Sequence, residues 1–467
     1  MRAEHRLGAG AGCNRAEPRA PSAGQGARTP ELDRSTTPGT PDASPEPLRA
    51  GTRLVVRCEG MVHGGLCLAH ADGATLLVDG AIPGETVEVA LTFRKGRTWF
   101  CRVIGVEEAS PDRVSAPCPY VGECGGCQLQ HIGYPRQLEL KREILLDAVR
   151  RAGVAVPEPR LHGMEDPWRY RWRGEFHVIP GERGLADATL GFNRARSWRK
   201  VAVDDCLIHH RSIAGALPRL RELVRRGGSP GLGVLHVTAG ESGDELLLRS
   251  KPAAALARSV VDEMAATLPV GERWSTDLTT LHWRGRAFRV SPDSFIQVSW
   301  GQLDALYGCV IAALGDVHGR RIVDAYAGIG VLSAVLAGEA REVVCIESNR
   351  SAAAMGRLNA RINEVADRVR YVVAPVESAL AEVAGSGGVD GLVLDPPRAG
   401  CGGQVAGWLA LAGPPRVVCV SCDPATLARD LHVLVASGPY AVDSVDVVDM
   451  FPQTYHVETV VGLSRQG

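Results

Sequence analysis

Five short hydrophobic runs, in which apolar and polar residues tend to alternate, follow one another between Gly51 and residue 112. Turns containing glycine, proline or aspartate separate them, which is the pattern of closely connected β-strands. The predicted strands cover residues 53–57, 66–69, 75–78, 86–92 and 99–106. Five such strands in about 55 residues predict a small OB-like β-barrel, an architecture that often binds nucleic acid.

The hairpin formed by the last two of these strands is strongly basic. Four cations lie around Trp99, namely Arg94, Lys95, Arg97 and Arg102. This composition suits RNA, because an aromatic ring can stack on a base while cations contact phosphates. A solvated basic turn is the alternative.

The middle of the chain, residues 113–290, mixes helical and strand-like patterns, which predicts an α+β domain. Apolar residues at three- and four-residue spacing predict a helix within residues 128–151. Alternating aromatic and cationic residues at 168–173 predict a strand with one basic face. Four more cations follow near Trp198, namely Arg194, Arg196, Arg199 and Lys200. Both segments favour contact with RNA, the alternative being arginine stems packed against a core.

Hydrophobic strands alternate with helices in residues 291–467, which predicts a doubly wound, Rossmann-like α/β domain. Residues 320–333 read as a strand, a turn containing Gly328 and Gly330, and a helix. The next strand ends in Glu347, about 20 residues further on, where an acid can accept hydrogen bonds from a ribose. Because the turn lacks a third glycine and a phosphate-binding loop, S-adenosylmethionine is favoured over a pyrophosphate cofactor.

Cys422 follows the buried strand predicted at residues 417–420. Asp423 suits the N-cap of the next helix, and Pro424 suits its first turn. Cys422 would then lie beside free backbone N–H groups, which favours the thiolate and therefore a nucleophilic role. The alternative is a buried structural cysteine.

Other polar groups are expected at the same edge of the sheet. Asp395 ends a neighbouring predicted strand and Arg398 follows it, while the terminal strand carries Glu458. Ligands of open α/β folds bind at the carboxyl ends of the strands. These groups together indicate an active site, although Asp395 could be a turn cap and Glu458 a surface acid.

A separate cysteine cluster has the spacing C-x5-C-x2-C. Its members are Cys118, Cys124 and Cys127, and Cys206 lies in the nearest polar stretch that could supply a fourth ligand. Neighbouring thiolates repel unless a cation holds them, so this density predicts a metal centre. Zinc and an iron–sulfur cluster both accept four thiolates, and chance clustering is the remaining alternative.

The composition adds a few limits. Residues 1–50 are rich in Pro, Gly, Ala and Arg and are predicted to be a disordered tail. The net charge of −1 requires any RNA contact to use local basic patches. The 13 cysteines, several within predicted strands, suit a reducing, cytoplasmic location, and neither a signal peptide nor a membrane contact is expected. The predicted domains are 51–112, 113–290 and 291–467.

Several motifs together resemble the RNA uridine-5-methyltransferase family. They are FIQV at 295–298, DAYAGIG at 324–330, LDPPRAG at 394–400, VSCDPATLARDL at 420–431 and DMFPQTYHVE at 449–458. Residues 78–89, VDGAIPGETVEV, resemble the TRAM domain, a small RNA-binding barrel. With the cysteine pattern, this resembles the branch that methylates 23S ribosomal RNA and carries a 4Fe-4S cluster.

The resemblance implies specific roles. Cys118, Cys124, Cys127 and Cys206 would be cluster ligands; Gln297, Tyr326, Glu347 and Asp395 would line the S-adenosylmethionine site; Cys422 would be the nucleophile and Glu458 the base. A monomer acting on a single-stranded or loop uridine is expected. The sequence departs from the family pattern at Asp423, usually Asn, and at Ala327 and Ala374, usually Cys and an acid.

Two alternative functions remain: a transfer RNA uridine-5-methyltransferase and a non-catalytic RNA-binding protein. A cytosine-5-methyltransferase of RNA is disfavoured, because such enzymes have a cysteine where this chain has Arg398. A small-molecule methyltransferase would not need the barrel, the basic hairpin and the cysteine cluster.

Overall fold

The computed structural model describes residues 48–241, 244–436 and 438–466. The predicted tail, residues 1–50, lies outside them except for its last three residues. The first sheet has the strand order β1-β5-β6-β4-β3-β2. Its strands are β1 (Arg53–Arg57), β2 (Gly60–Val62), β3 (Leu66–Ala71), β4 (Ala74–Asp79), β5 (Thr86–Lys95) and β6 (Thr98–Glu108). The five predicted strands are confirmed; β2 was missed because three residues carry too little pattern.

Trp99 does not take the role that the basic hairpin indicated. Its ring is 7% exposed and belongs to the core of the first sheet. The guanidinium of Arg94 lies 6.0 Å from the ring centroid. Phe93 and Phe100 instead form a stacked pair, with ring centroids 4.4 Å apart, near the surface. The ring of Trp99 is therefore not available for stacking on a base, since the alternation of the strand turns it inward.

The second part of the chain forms a sheet in the order β10-β9-β8-β11-β12-β13 and a separate hairpin, β14-β15. Its elements are α1 (Tyr134–Arg151), β7 (Arg160–His162), β8 (Arg173–Gly181), β9 (Gly184–Asn193), β10 (Lys200–Ala202), α2 (Arg211–Gly227), β11 (Val234–Ala239), β12 (Glu245–Lys251), α3 (Arg258–Ala265), β13 (Arg273–Ser275), β14 (Thr279–Trp283) and β15 (Arg286–Val290). The predicted helix is present but begins at Tyr134.

The strand predicted at residues 168–173 is wrong. The chain bends there, with Arg169 in the left-handed region at φ 55°, and β8 begins only at Arg173. The N–H groups of Arg169 and Arg171 donate to the carbonyls of Leu207 and Ile208. The segment therefore follows the Cys206 loop instead of pairing in a sheet.

The last part forms an eight-stranded sheet in the order β18-β17-β16-β19-β20-β22-β21-β7. Its elements are α4 (Leu303–Leu314), β16 (Arg321–Ala325), α5 (Val331–Leu336), β17 (Glu342–Ile346), α6 (Arg350–Ile362), β18 (Val369–Val372), α7 (Val376–Gly385), β19 (Gly391–Leu394), α8 (Gly402–Ala412), β20 (Arg416–Ser421), α9 (Pro424–Leu431), β21 (Tyr440–Val448) and β22 (Glu458–Arg465). The strands β16–β20 run parallel and β22 is antiparallel to β20.

The middle of the chain contributes directly to this large sheet. Strand β7 adds to its edge in parallel with β21, and helix α1 packs against α9. Both elements fall within the range predicted for the central domain, residues 113–290. Among the described residues, no helix combines the length and apolar character needed to cross a membrane.

Candidate active site

The carboxyl edge of the large sheet brings together the reactive residues that the sequence indicated. Cys422 directly follows β20, and Glu458 begins β22. The antiparallel register pairs Ser421 with Thr459, so Cys422 and Glu458 occupy the next opposed positions. Asp395 follows β19, the parallel neighbour of β20, at the same edge. A cysteine and two acids thus meet where open α/β sheets bind ligands.

The environment of Cys422 differs from the prediction that it favours a thiolate. Burial, followed by the nearby carboxylate of Glu458, raises the pKa of Cys422 to about 11, while Arg398 opposes the shift. Asp423 does cap α9, but its Oδ1 accepts the N–H groups of Ala425 and Thr426 at 3.0 and 2.9 Å. The N–H groups expected to face the sulfur are therefore occupied, and the resting group is a thiol.

The acids at this edge share the same effect of burial. Burial raises the pKa of Asp395 to about 6. Burial also raises the pKa of Glu458 well above its usual value, and the charge of Asp395 adds to the shift. Asp324, on β16, is 4% exposed, and burial raises its pKa to about 7 although Ser333 Oγ donates to it. This edge is therefore acidic and poorly solvated, which suits a cationic ligand.

The turn between β16 and α5 has the geometry of a ligand cradle. Gly328 and Gly330 have φ of 55° and 76°, and a Cβ at Gly328 would meet no atom within 4 Å. Tyr326 also has positive φ, 67°, and its hydroxyl is buried without a hydrogen-bond partner in the described residues. A non-glycine residue held in this strained region is typical of functional sites.

Glu347 lies at the end of β17, beside this turn. Its carboxylate accepts the N–H groups of Gly328 at 3.0 Å and Asn349 at 2.6 Å. Each carboxylate oxygen can accept a second hydrogen bond, so ribose hydroxyls could still be received.

Gln297 also reaches the acidic edge. Its side chain is 8% exposed, and its Nε2 donates to Asp395 Oδ2 at 3.4 Å. The side chain of Tyr307, on α4, forms a hydrogen bond with the side chain of Gln297. Burial raises the pKa of Tyr307 far above its usual value. The amide of Gln297 therefore links Asp395 to a neutral phenol.

The sequence did not indicate three further side chains at this site, namely His63, Tyr455 and His456. Arg398 donates to His456 Nε2 at 3.3 Å, and burial lowers the pKa of His456 to about 3, so this imidazole is neutral. Tyr455 packs against it with ring centroids 4.3 Å apart. His63 follows strand β2 of the first sheet, and its Nε2 lies 3.6 Å from Asp423 Oδ2. Tyr455 and His456 stood within a quoted motif, but no sequence signal connects His63 to residues so distant in the chain.

The loop before Glu458 is anchored by helix α1. Lys141 is 1% exposed, and its Nζ donates to Asp449 Oδ1 at 2.6 Å and to the carbonyl of Phe451 at 3.0 Å. One turn away, Gln137 accepts the N–H of Gln453 and donates to its side chain, both at 3.0 Å. Buried polar pairs of this kind fix the path of the chain into β22.

The four predicted metal ligands converge elsewhere. Cys118, Cys124, Cys127 and Cys206 line one cavity of about 170 Å³, and none of the four forms a disulfide. Burial raises the pKa of Cys127 to about 12, and the charges of the other three sulfurs contribute. The N–H of Gly126 points at Cys124 Sγ at 3.4 Å. Four cysteines that line one cavity, with a backbone donor at one of them, fit a metal or an iron–sulfur cluster.

The chain is similar to several known RNA methyltransferases. The sequence profile of the tRNA (uracil-5-)-methyltransferase family matches residues 276–466. An uncharacterized RNA methyltransferase of Halalkalibacterium halodurans is 34% identical over 89% of this chain and 98% of its own. The 23S rRNA (uracil(1939)-C(5))-methyltransferase RlmD of Shewanella amazonensis is 34% identical over 87% of this chain and 94% of its own. The crystal structure of Pyrococcus abyssi tRNA (uracil-54, C5)-methyltransferase superposes with a TM-score of 0.66 at 23% identity, over 88% of this chain and 100% of that one.

The parallel sheet and its glycine turn define a doubly wound α/β fold, which the solved structure shares. The relatives at 34% identity place this fold in the class of RNA methyltransferases. Relatives above 30% identity over most of the chain include 23S rRNA uracil-C5-methyltransferases, which narrows this class to one family. The chain belongs to the RNA uracil-5-methyltransferase family, which confirms the family that the motifs predicted.

Replacing Lys141 by Met should lower the free energy of unfolding by about 3–5 kcal/mol, because Asp449 would be left as an unpaired buried charge. Urea titration followed by tryptophan fluorescence measures this value. The matched control Lys95→Met removes an exposed cation and should change the value by less than about 0.5 kcal/mol. A loss below about 1 kcal/mol for Lys141→Met would show that the ion pair does not hold this loop.

Proposed function

We propose that this protein methylates carbon 5 of a uridine in RNA, with S-adenosylmethionine as methyl donor and Cys422 as nucleophile. The observation that carries the proposal is the opposed placement of Cys422 and Glu458 at one sheet edge, next to Asp395 and near the glycine turn. The relative from Shewanella amazonensis, similar over nearly its full length, favours 23S ribosomal RNA as the substrate. The alternative substrate is transfer RNA, which the family profile names.

The proposed chemistry uses few groups of the chain. Carbon 5 of uracil is a weak nucleophile, and addition of the Cys422 sulfur to carbon 6 converts the ring to an enolate. S-adenosylmethionine supplies an electrophilic methyl group on a sulfonium. After carbon 5 has gained the methyl group, the Glu458 carboxylate accepts the proton of carbon 5. The electron pair of that C–H bond then forms the 5,6 double bond, and the Cys422 thiolate leaves.

The proposed reaction requires Cys422 and Glu458 to be deprotonated. In the free protein, burial raises the pKa of Cys422 to about 11 and raises the pKa of Glu458 well above its usual value, which favours the protonated form of each group. Each must lose its proton before it can act. A cation at the acidic edge lowers the pKa of neighbouring acids, so binding of the positively charged methyl donor favours the active states. Arg398 already acts in this direction on both groups.

The remaining predicted residues are proposed to bind the cofactor and the RNA. Gln297, Tyr326, Glu347 and Asp395 would line the cofactor site: Glu347 at the ribose, and Asp395 near the sulfonium. Tyr326 supports this arrangement through its unpartnered buried hydroxyl beside the glycine turn. The basic hairpin of the first sheet, proposed to be a TRAM-type barrel, would contact RNA phosphates through exposed Arg94, Lys95 and Arg97.

The cysteine cavity is proposed to hold a 4Fe-4S cluster in a structural role. Cys118, Cys124, Cys127 and Cys206 would be its ligands, and the cavity lies apart from the residues around Cys422. A different group, His162, Cys309 and Asp446, has ligand atoms that all lie within 4.8 Å of one another. Its carboxylate is already paired with Arg160 at 2.6 Å, which makes an ion-pair role the better reading of that group.

Methyl transfer should depend on Cys422. With labelled S-adenosylmethionine and unmodified ribosomal or transfer RNA, Cys422→Ala should reduce incorporation by at least about a thousandfold, since a covalent step is lost. Cys401→Ala, a buried cysteine elsewhere in this domain, is the matched control and should retain incorporation. Equal labelling by Cys422→Ala would remove Cys422 from the mechanism, and preferential labelling of transfer RNA would change the assigned substrate.

The affinity for S-adenosylmethionine should rise with pH. Since the pKa of Asp395 is about 6, protonation below that pH removes a negative charge from the site. Affinity should therefore increase by up to about tenfold per pH unit below pH 6 and level off above pH 7 to 8, where Asp324 is also ionised. Calorimetric titration measures this, with Asp395→Asn expected to flatten the curve and the exposed Glu382→Gln expected to leave it unchanged.

S-adenosylhomocysteine provides a charge control for the same titration, because its sulfur is neutral. Its affinity should vary much less with pH. An identical pH profile for both ligands would show that the acidic edge does not face the sulfonium.

Anaerobically purified protein should absorb near about 400 nm, where iron–sulfur charge transfer lies. Cys206→Ser should reduce this absorption and the bound iron, whereas Cys401→Ala, outside the cavity, should retain both. Colourless protein containing stoichiometric zinc would establish a zinc centre instead.

A further inference from the structure

The loop that joins β9 to β10, residues 194–199, carries the most exposed tryptophan among the described residues. Trp198 is 87% exposed, whereas the other large aromatic side chains of the second sheet contribute to its core. An indole exposed to this extent offers a large, flat apolar surface to a ligand.

The loop is held in a defined shape. The N–H of Arg194 donates to the carbonyl of Arg199 at 2.8 Å, and the N–H of Arg199 donates to Ser197 Oγ at 3.1 Å. Arg196 adopts a positive φ of 53°. The indole is therefore presented from a tight turn, so little conformational entropy would be lost when it binds a ligand.

Two neighbouring segments fix this loop from either side. The N–H of Ala195 donates to the carbonyl of Glu123 at 2.9 Å, and Gly125 donates to Asn193 at 2.9 Å. A Cβ at Gly125 would lie 3.2 Å from the carbonyl oxygen of Asn193, so the cysteine-bearing segment packs backbone to backbone on the loop. On the other side Arg196 pairs with Asp79 of the first sheet at 2.9 Å.

Between the loop and the cysteine-bearing segment lies an open groove of about 550 Å³. Its lining includes Trp198, Phe192, His177, Glu175 and Gly126. The lining also includes Arg194 and Arg196, which are paired with Glu123 and Asp79. Arg199 and Lys200 follow Trp198 directly in the chain and add positive charge next to it, and burial together with the charge of Lys200 lowers the pKa of His177 in the groove.

We propose that this groove binds a single-stranded segment of the RNA substrate outside the active site, with an unpaired base stacked on Trp198 and a phosphate beside Arg199. An aromatic face next to a cation is the combination that single-stranded RNA recognition uses. The location adjoins the first sheet, so RNA could follow one surface from its basic hairpin to this groove. The proposal rests on the proposed function, since it takes the substrate to be RNA.

Fluorescence anisotropy with fluorescein-labelled single-stranded polyuridine RNA tests this proposal. Trp198→Ala should weaken binding by about 5–100-fold, the range for loss of one stacked base, whereas Trp198→Phe should retain most of the affinity. Leu411→Ala, which truncates another large side chain that is 84% exposed, should have no effect. Arg199→Ala should reduce the dependence of log affinity on log salt concentration by about 0.7.

A duplex RNA of the same length distinguishes stacking on an unpaired base from general attraction to phosphate. Trp198→Ala should leave duplex affinity unchanged. Polyuridine binding by Trp198→Ala within twofold of the unsubstituted protein, or an equal loss on duplex and single strand, would overturn the proposal.

The methylation assay separates this proposal from the proposed function. If the RNA groove is correct, Trp198→Ala should raise the KM for RNA and leave kcat at saturating RNA unchanged. Methyl transfer without any effect of Trp198 would reject the groove alone. Tryptophan-dependent RNA binding without methyl transfer by the unsubstituted protein would reject the proposed function alone.

Discussion

The burial of ionisable groups at one sheet edge is the constraint on which the active site depends. Asp395, Asp324 and Glu458 lie close together with little solvent, and burial raises the pKa of each. Buried carboxylates are costly unless a positive charge compensates them. The site is thus better suited to a filled state that contains a cation than to an empty one, and burial also raises the pKa values of the proposed nucleophile, Cys422, and the proposed base, Glu458.

Segments far apart in the chain hold this edge in place. The register between β20 and β22 sets Cys422 opposite Glu458, and the loop entering β22 is anchored by Lys141 of helix α1. His63 reaches Asp423 from the first sheet. Because contacts from three parts of the chain meet here, the parts preceding the large sheet help to fix the geometry around Cys422 and Glu458.

The sequence predicted the elements with strong periodicity and the motifs at strand ends. The strands of the first sheet, the βαβ units and the N-cap at Asp423 are confirmed because each depends on local patterns. The strand at residues 168–173 was wrong because carbonyls of the Cys206 loop, distant in sequence, take its N–H groups. The thiolate prediction for Cys422 was wrong because the capping carboxylate occupies the helix N–H groups and Glu458 adds negative charge. The proximity of His63 to Asp423 depends on tertiary packing alone.

The central claim is that the sulfur of Cys422 bonds transiently to carbon 6 of a uracil. The most direct measurement uses RNA in which 5-fluorouridine replaces uridine, because fluorine at carbon 5 cannot be removed as a proton and the adduct persists. In the presence of S-adenosylmethionine, a protein–RNA complex stable to denaturation should form, and mass spectrometry should locate the RNA on the peptide containing Cys422. Attachment to another cysteine, or methylation of uridine by a protein that never forms an adduct with 5-fluorouridine, would contradict the account.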